Sequence, residues 1–438
     1  MNQPHSDPSS PQSAAFVLPK ITQVPAGWTF AALVGGLAGG LALAFAAPAA
    51  LPAVLAVAEP VGEMWLRALQ ATIVPLVAAL LFTGVVQTVA TANAGALARR
   101  SLGLFLAVLS FSAAVALFVT PALLTWLPIP GAAGAALRSG LAAAASHSAG
   151  PTAVPTIADY LRSIIPTNVL DAAANDRMLP MILFMAVFAL ATTRLEPRQR
   201  DLMAGFFAAI AAAMLVIIGW VMALAPVGVL ALSITVAAKS GPAAIGALAH
   251  YTLIMILAGG VVWLSGYPIA ALLARVPLGR FARAMVPVQV FALSTQSSLA
   301  SLPTMLAACA RMGVRDATAE FVMPLAVSLF RATSPAVNLS VVVYVASWYG
   351  VPLTLGMMIS GFIVAIMVSL SSVSLPGTIS FVASVGPIAI AMGVPVEPLA
   401  LLVAVEVLPD LMRTLGNVTL DVAVTAAVDR YARDADAA

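Results

Sequence analysis

Eight long apolar stretches constrain this chain more than any other feature of its sequence. A helix needs about 20 mainly apolar residues to cross the hydrocarbon core of a bilayer, and each stretch approaches or exceeds that length. The stretches lie at 28–47, 64–90, 101–127, 178–194, 202–236, 244–275, 317–347 and 394–427. Only 8% of the residues are charged and 62% are hydrophobic, whereas soluble domains carry about 25% charged residues. The sequence therefore predicts an all-α, polytopic membrane protein.

Two further apolar segments, 284–312 and 351–390, are interrupted at their centres by serines and a proline. Both interruptions contain Ser-Leu-Pro, at 301–303 and at 374–376. Such runs stop a helix, because proline lacks an N–H and serine offers the backbone other partners. Matching breaks in apolar segments are typical of re-entrant hairpins that form the binding site of a secondary transporter. Two ordinary loops outside the membrane are the alternative.

The basic residues divide unevenly between the two sides of the predicted membrane protein. With the N-terminus inside, the cytoplasmic connections carry Arg99, Arg100, Arg194, Arg198, Arg200, Arg275, Arg280, Arg283, Arg311, Arg315, Arg430 and Arg433. The opposite side carries Arg138, Arg162, Arg177 and Lys239. This asymmetry satisfies the positive-inside rule. It predicts a multi-pass protein of the plasma (inner) membrane with both termini in the cytoplasm.

Composition also excludes several classes of protein. The net charge of +3 is too small to suggest a nucleic-acid partner, and the single cysteine, Cys309, excludes disulfides and cysteine-based metal sites. The histidines, His5, His147 and His250, are scattered, and we interpret them as structural or exposed. We therefore predict no cofactor. The first 26 residues are polar and lack the apolar core of a signal peptide, so we expect a disordered cytoplasmic tail.

The last apolar span contains several ionisable and polar residues deep in its sequence. They are Glu406, Asp410, Arg413, Asn417 and Asp421. On a helix these positions share a stripe of roughly 80°. Three acids and an arginine on one helical face are costly in lipid unless they face a cavity, so they are candidate functional residues. The alternative is a structural Asp–Arg pair that joins two helices.

The seventh span contains the unusual sequence Phe-Arg-Ala-Thr-Ser-Pro at 330–335. Arg331 lies within an apolar segment and needs a carboxylate partner, which the last span offers. Pro335 frees the carbonyl of Arg331 from its helical hydrogen bond. Freed carbonyls near the centre of a bilayer are typical ligands of cations or substrates, although a plain proline kink is an alternative.

Together these motifs resemble the dicarboxylate/amino acid:cation symporters, the family that includes the glutamate transporters. The resemblance extends from about residue 28 to 430, and its most specific part is 410–421, with Asp, Arg-Thr, Asn-Val-Thr and Asp at the family's spacings. The serine-rich segment 294–303 and the run Leu375-Pro376-Gly377 are similar to the family's two hairpin tips. Weaker similarities lie at 165–168, 73–76 and 226–229.

The resemblance implies eight transmembrane helices plus two re-entrant hairpins, in the glutamate-transporter (elevator) fold of a homotrimer. The expected organisation is a tail (1–26), scaffold helices 1 and 2 (27–97), transport helix 3 (98–127), an extramembrane excursion (128–177), scaffold helices 4 and 5 (178–240), transport helix 6 (241–283), hairpin 1 (284–312), helix 7 (313–350), hairpin 2 (351–390), helix 8 (391–430) and a tail (431–438).

The resemblance also implies roles for individual residues. Asp410 matches the acid that holds a substrate amino group, Arg413 the guanidinium that pairs with a side-chain carboxylate, and Asp421 a sodium-ligand carboxylate. Thr414 and Asn417 match ligands of the substrate's main carboxylate, and backbone amides at the hairpin tips would cap the anion. The predicted substrate-binding residues are Ser297, Ser298, Ser334, Leu375, Pro376, Gly377, Asp410, Arg413, Thr414 and Asn417.

One departure from the family pattern concerns the coupling ion. Where the family has Asn-Met-Asp-Gly-Thr, this chain has Phe-Arg-Ala-Thr-Ser at 330–334. Two oxygen-bearing sodium ligands are thereby replaced by Phe330 and Ala332, whose side chains offer no oxygen. We therefore expect coupling to H⁺ through the residues Glu406, Asp410, Asp421 and Arg331. The alternative is one residual Na⁺ site near Val327, Ser328, Ser369 and Ser372.

The sequence thus predicts a symporter in the lipid bilayer for an acidic amino acid or a C4-dicarboxylate, a small anionic substrate. An intramembrane serine hydrolase is disfavoured, because a serine nucleophile needs a base and His250 lies at a span end, far in sequence from the tips. A receptor or leak channel on the same fold is the third alternative.

Overall fold

The computed structural model describes residues 26–92, 95–131, 165–174, 178–240, 243–371 and 377–436. These ranges consist of helices, short connections and one 3-10 turn, and they contain no strand. The first eight helices are α1 (Ala26–Ala46), α2 (Leu51–Gln70), α3 (Ile73–Ala92), α4 (Ala96–Trp126), α5 (Val169–Ala174), α6 (Met178–Thr192), α7 (Pro197–Ala223) and α8 (Ala225–Ser240).

The remaining helices form the second half of the chain. They are α9 (Ala243–Leu272), α10 (Leu278–Thr295), α11 (Leu302–Met312), α12 (Asp316–Leu329), α13 (Ser334–Tyr349), α14 (Leu355–Ser371), α15 (Gly377–Ala391), α16 (Glu397–Leu402) and α17 (Val407–Asp436). A 3-10 turn (Val403–Val405) joins α16 to α17.

Six helical segments of the described chain are long and apolar enough to cross a membrane. They are Trp28–Ala46, Leu51–Thr91, Ala96–Trp126, Pro197–Ala223, Ile245–Leu272 and Asp316–Tyr349. Shorter apolar helices occupy Pro180–Thr192, Ala225–Ala238 and Leu355–Leu370. These helices confirm the prediction of an all-α membrane protein with many spans.

Several helices differ in extent from the spans expected from hydropathy. Helix α2 begins at Leu51 rather than near residue 64, because its first-turn proline is tolerated there and Pro60 is accommodated inside the helix. The stretch 202–236 divides at Leu224, which lies between the last residue of α7 and the first residue of α8. Helix α17 continues to Asp436, past the point at which a tail is expected. Of the expected excursion at 128–177, the structure describes 128–131 and 165–174. Residues 1–25, 132–164 and 175–177 lie outside the described chain.

Helices α1, α2, α3, α6, α7 and α8 pack among themselves, and we call them the flanking group. Helix α1 lies along α8, and α8 also packs on α2, while α3 contacts α6 and α7. A Cβ on Gly36 would lie 2.8 Å from the carbonyl oxygen of Leu230, and one on Gly40 2.6 Å from that of Ile234. Small residues therefore bring these helices together at close range, as is common in membranes.

Helices α4 and α9 to α17 form the site group, with α17 at its centre. Helix α17 packs against α9, α10, α11, α12 and α4, while α13 packs against α4 and α9. Every residue from 413 to 429 is buried. The polar stripe expected on the last span is therefore surrounded by protein rather than lipid.

Candidate functional site

The seventh span is broken at the position where the sequence indicates it. Helix α12 ends at Leu329 and α13 begins at Ser334, with Pro335 in the first turn of the new helix. Residues 330–333 are therefore non-helical, which is more than a proline kink. The carbonyl of Arg331 accepts a hydrogen bond from the Ser334 N–H at 3.0 Å. The chain turns tightly enough for Ser334 to reach this carbonyl, which Pro335 cannot reach with a helical hydrogen bond because proline has no N–H.

Thr333 joins this break to α17. Its backbone N–H and its hydroxyl both lie within hydrogen-bonding distance of the Asn417 side-chain oxygen, at 2.9 and 2.6 Å. The same hydroxyl lies 2.7 Å from the backbone carbonyl of Arg413 and donates to it. Thr333 is fully buried. Sequence reasoning did not assign Thr333 to the site, although its hydroxyl lies within the unusual run of the seventh span.

The break and α17 approach closely at Gly416. A Cβ on Gly416 would overlap the methyl group of Thr333 and would lie 3.5 Å from the backbone of Trp263 on α9. Glycine is therefore required at this position by the neighbours of α17 and not by its own backbone conformation.

The polar stripe begins at Glu406, directly after the 3-10 turn. The Asp410 N–H donates to the Glu406 carbonyl at 2.9 Å, so the α-helical register begins there. The five predicted stripe residues consequently follow one helical register. Glu406 and Asp421 are each only 1% exposed, whereas the Asp410 side chain is 22% exposed.

Arg413 pairs with two acids through the same nitrogen. Its Nη1 forms an ion pair with Glu406 and a longer one, at 3.4 Å, with Asp410. The Tyr251 hydroxyl of α9 donates to the other Glu406 oxygen at 3.4 Å. The alternative of an Asp–Arg pair is thus only part of the arrangement, because Glu406 makes the shorter contact. Tyr251 is a neighbour of the site that no sequence motif indicated.

Two buried side chains of the site, Arg413 and Asp421, have polar atoms without a hydrogen-bond partner among the described residues. In the described chain, Nε and Nη2 of Arg413 and both carboxylate oxygens of Asp421 have no hydrogen-bond partner. Arg331 is partly buried, and its charge interacts with those of Asp410 and Asp421. Because buried polar atoms are nearly always paired, the open donors of Arg413 indicate a place for an anion.

The two positions where the resemblance expects sodium ligands are apolar in the structure. The rings of Phe330 and Phe105 are stacked, with centroids 4.5 Å apart and planes 8° apart. Ala332 is fully buried. Ser334 keeps a hydroxyl and is buried. Among the described residues, no group of three or more His, Cys, Asp or Glu side chains is placed to hold a metal ion.

Hairpin 1 lies against the second half of the stripe. Helices α10 and α11 both pack on α17, and Gln289 donates to the Thr419 hydroxyl at 3.0 Å. At the tip, the Ser297 hydroxyl accepts from the Ala300 N–H at 3.2 Å. Ser297 and Ser298 are partly buried. These bonds close the tip as a compact turn between the two helices.

Hairpin 2 consists of α14 and α15, which pack together. Gly377 begins α15, while Ser372, Leu375 and Pro376 lie outside the described residues. Their expected roles at the tip stay predictions.

The alternative sodium site involves residues of α12 and α14, which are in contact. Val327 is buried. The hydroxyls of Ser328 and Ser369 donate to carbonyls of their own helices, those of Pro324 and Ala365, at 2.8 and 2.7 Å. Ser372, the fourth residue of that alternative, is among those the structure does not describe.

His250 has a structural position, as expected. Its Nδ1 lies 3.0 Å from the Tyr344 hydroxyl of α13, and its Nε2 lies 3.0 Å from the carbonyl of Leu127, just after α4. Both ring nitrogens are therefore engaged in joining three helices, and neither is directed at a hairpin serine. This geometry removes the base that an intramembrane serine hydrolase requires.

Broken helices packed around buried acids and an arginine define an α-helical membrane protein with a charged internal site. The family model described as the sodium:dicarboxylate symporter family matches residues 26–431, and the chain belongs to this family. Its members are transporters and not enzymes.

Three relatives illustrate the similarity. The chain is 25% identical over 361 residues to the proton/sodium-glutamate symport protein of Bacillus subtilis, covering 82% of this chain and 83% of the relative. It is 28% identical over 256 residues to the proton/glutamate-aspartate symporter of Escherichia coli, covering 58% of each. It is 26% identical over 293 residues to the C4-dicarboxylate transport protein of Leptothrix cholodnii, covering 65% and 64%. The resemblance seen in the sequence is confirmed.

Proposed function

We propose that the chain is an H⁺-coupled symporter for an acidic amino acid or a C4-dicarboxylate. The observation that carries the proposal is Arg413, a buried guanidinium whose Nε and Nη2 have no partner in the described chain. A carboxylate is the ligand that a guanidinium edge binds through two parallel hydrogen bonds. The names of the relatives, which include glutamate, aspartate and C4-dicarboxylates, agree with such a ligand.

The neighbours of Arg413 support specific roles for the other residues. Asp410 is the most exposed acid of the stripe and is placed to accept hydrogen bonds from a substrate amino group. The Asn417 side-chain oxygen is occupied by Thr333, so its amide N–H groups are left to donate to a carboxylate. Thr414 is buried one turn after Asp410. The hairpin tips would then cover the anion with backbone N–H groups.

Glu406 is the group we propose to carry the proton. In the present arrangement its charge is compensated by Arg413. When a substrate carboxylate binds Nε and Nη2, the single positive charge of Arg413 is shared between two carboxylates, and Glu406 is less fully compensated while remaining almost fully buried. A buried carboxylate whose negative charge is not compensated is energetically unfavourable. Protonation of Glu406 removes that charge. Substrate and proton would therefore bind together.

Arg331 and Phe330 support coupling without bound sodium. Na⁺ prefers oxygen ligands, and the stacked Phe330 offers none. Arg331 supplies a permanent positive charge whose field reaches Asp421. That charge takes over the role that a cation would have beside a buried carboxylate.

The proposal extends to the movement and the setting of the protein. The polar site group would move against the flanking group, as the elevator mechanism of the resemblance implies, in a homotrimer. The site would lie in the plasma membrane, with both termini in the cytoplasm. The positive-inside distribution of arginines supports this orientation.

Uptake into proteoliposomes tests the proposal. Vesicles in choline buffer are given radiolabelled aspartate, glutamate or succinate, with and without an inward proton gradient. We expect accumulation without sodium, stimulated by the gradient, and loss of that stimulation in Glu406→Gln. The matched control is Glu63→Gln, which removes the acid of a partly exposed Glu–Arg pair in the flanking group.

Each other outcome has a definite meaning. A strict sodium requirement with no response to pH contradicts H⁺ coupling and favours the residual sodium site. Flux that only follows the solute gradient indicates a leak channel, and binding without flux indicates a receptor. Uptake of neutral amino acids alone contradicts the role of Arg413.

A further inference from the structure

A second cationic site lies at the base of hairpin 1. The start of α10 and the end of α11 enclose an open cavity lined by Arg280, Arg283, Ala284 and Arg311. Three of the four lining residues are arginines. The cavity belongs to the end of the hairpin opposite to its serine tip, so it is distinct from the charged stripe of α17.

Two acids of α17 at this end of the molecule, Asp429 and Asp434, are paired with other arginines. Asp429 accepts from the Arg315 Nε at 2.8 Å and forms an ion pair with Arg433, also at 2.8 Å. Asp434 pairs with Arg430. None of the ion pairs formed within the described ranges includes a cavity arginine. The positive charge of the cavity is therefore not neutralised by these acids.

Two of the arginines are held in place by backbone carbonyls. Arg280 donates from Nη2 to the Arg311 carbonyl at 2.9 Å, which ties α10 to α11. Arg311 donates from Nε to the Ala307 carbonyl at 3.2 Å. The Arg283 side chain donates no hydrogen bond to the part of the chain that the structure describes. The guanidinium of Arg283 is thus available to a ligand, next to Arg280 and Arg311, whose side chains are held by backbone carbonyls.

An apolar surface of the same helix adjoins the cavity. Val286 and Val290, one helical turn apart on α10, are 56% and 59% exposed. Pro287, one turn after Arg283, is also exposed. A strip of helix with cations at one end and exposed aliphatic side chains beyond them matches the two parts of a phospholipid.

We propose that this cavity binds the phosphate of an anionic phospholipid, whose acyl chains lie along Val286 and Val290. The arginines lie on the side predicted to face the cytoplasm, where anionic lipids attract basic residues. The fixed pair, Arg280 and Arg311, would orient the phosphate and Arg283 would complete its coordination. Lipid binding does not require transport, so it stands or falls independently of the proposed substrate and coupling ion.

Lipid binding to the purified full-length protein tests this inference. Native mass spectrometry counts bound phosphatidylglycerol and phosphatidylcholine on the wild type, on Arg283→Gln and on R280Q/R283Q/R311Q. The charge-matched control is R194Q/R198Q/R200Q, which also removes three positive charges. We expect phosphatidylglycerol affinity to fall about fivefold for each arginine removed from the cavity, the effect of one basic residue near an anionic surface, and to be unchanged in the control.

Three results would overturn the inference. One is a preserved preference for phosphatidylglycerol in both cavity variants. Another is an equal loss in the control variant, which would indicate general electrostatic attraction. The third is complete displacement of the lipid by millimolar inorganic phosphate, which would indicate a site for free anions. Arg283→Gln leaves the contact between Arg280 and Arg311 intact. It is therefore expected to fold normally even if the triple variant does not.

Discussion

The flanking group and the site group achieve helix packing by different means. In the flanking group, hydroxyls donate mainly to carbonyls of their own helix, as Ser233 does to Val229 and Thr235 to Ala231, and glycines allow the helices to meet. In the site group, hydrogen bonds cross between helices, as between Thr120 and Ser340 at 2.6 Å. The flanking group also contains a bond between helices, from the Trp65 indole N–H to the Val221 carbonyl at 2.9 Å. The flanking helices are therefore positioned mainly by shape, and the site helices by shape and by polar pairing.

Removal of a buried charge should have the largest effect on the stability and activity of the site group. We expect Arg413→Ala to abolish uptake of acidic substrates and to lower stability by about 3–5 kcal/mol, because Glu406 is left as an uncompensated buried charge. The same change at Arg67, whose side chain is 62% exposed and pairs with Glu63, should cost at most about 1 kcal/mol. Chemical unfolding in detergent and vesicle uptake measure the two effects.

The double variant Arg413→Met/Glu406→Gln separates binding from folding. Since replacing both members of a buried pair is often neutral, this protein should fold and still fail to bind aspartate. Normal aspartate or succinate affinity in either Arg413 variant would refute the assignment.

Gly416 in the site group and Gly40 in the flanking group both lie where helices are closely packed, which allows a second comparison of the two groups. We expect Gly416→Ala to destabilise the protein by about 1–3 kcal/mol through overpacking, and to weaken substrate binding. The obstacle is the Thr333 methyl group, so the added change Thr333→Ser should restore most of the loss. Gly40→Ala meets the backbone of Ile234 instead, and no side-chain change should rescue it. Failure of the serine rescue would contradict the contact.

Loss of one hydroxyl distinguishes cross-helix bonding from bonding within a helix. Thr333→Val removes the hydroxyl that donates to the Arg413 carbonyl, while the backbone N–H at this position still donates to the Asn417 side-chain oxygen. We expect the loss of this buried donor to cost about 1–3 kcal/mol. Thr235→Val removes a hydroxyl that bonds only within α8 and should change stability by less than about 0.5 kcal/mol. Equal losses in the two variants would show that both groups are packed alike.

Aromatic stacking provides the smallest expected effect. Phe330→Leu removes the contact with Phe105, and Phe82→Leu removes a stacked pair in the flanking group, with Phe207 at 4.0 Å. Each should lose about 1 kcal/mol of stacking energy. We expect only the Phe330 variant to alter the kinetics of uptake, since Phe82 is remote from the charged stripe in the packing of the helices. A kinetic change in the Phe82 variant alone would reverse this interpretation.

The sequence by itself determined the features that depend on local physics. Apolar length predicts the spans, and proline and serine predict the breaks, because these act on the backbone within one turn. The helical period predicts that residues 406, 410, 413, 417 and 421 share one face. The motif at 410–421, together with the two hairpin tips, indicates the family.

Only the tertiary structure decided which polar groups meet. Glu406, which directly follows the 3-10 turn, makes a shorter contact with Arg413 than Asp410 does. Thr333 reaches Asn417 across 84 residues of sequence, and three arginines of hairpin 1 converge on one cavity. No local rule places groups so distant in sequence together, since their distances are set by how whole helices pack.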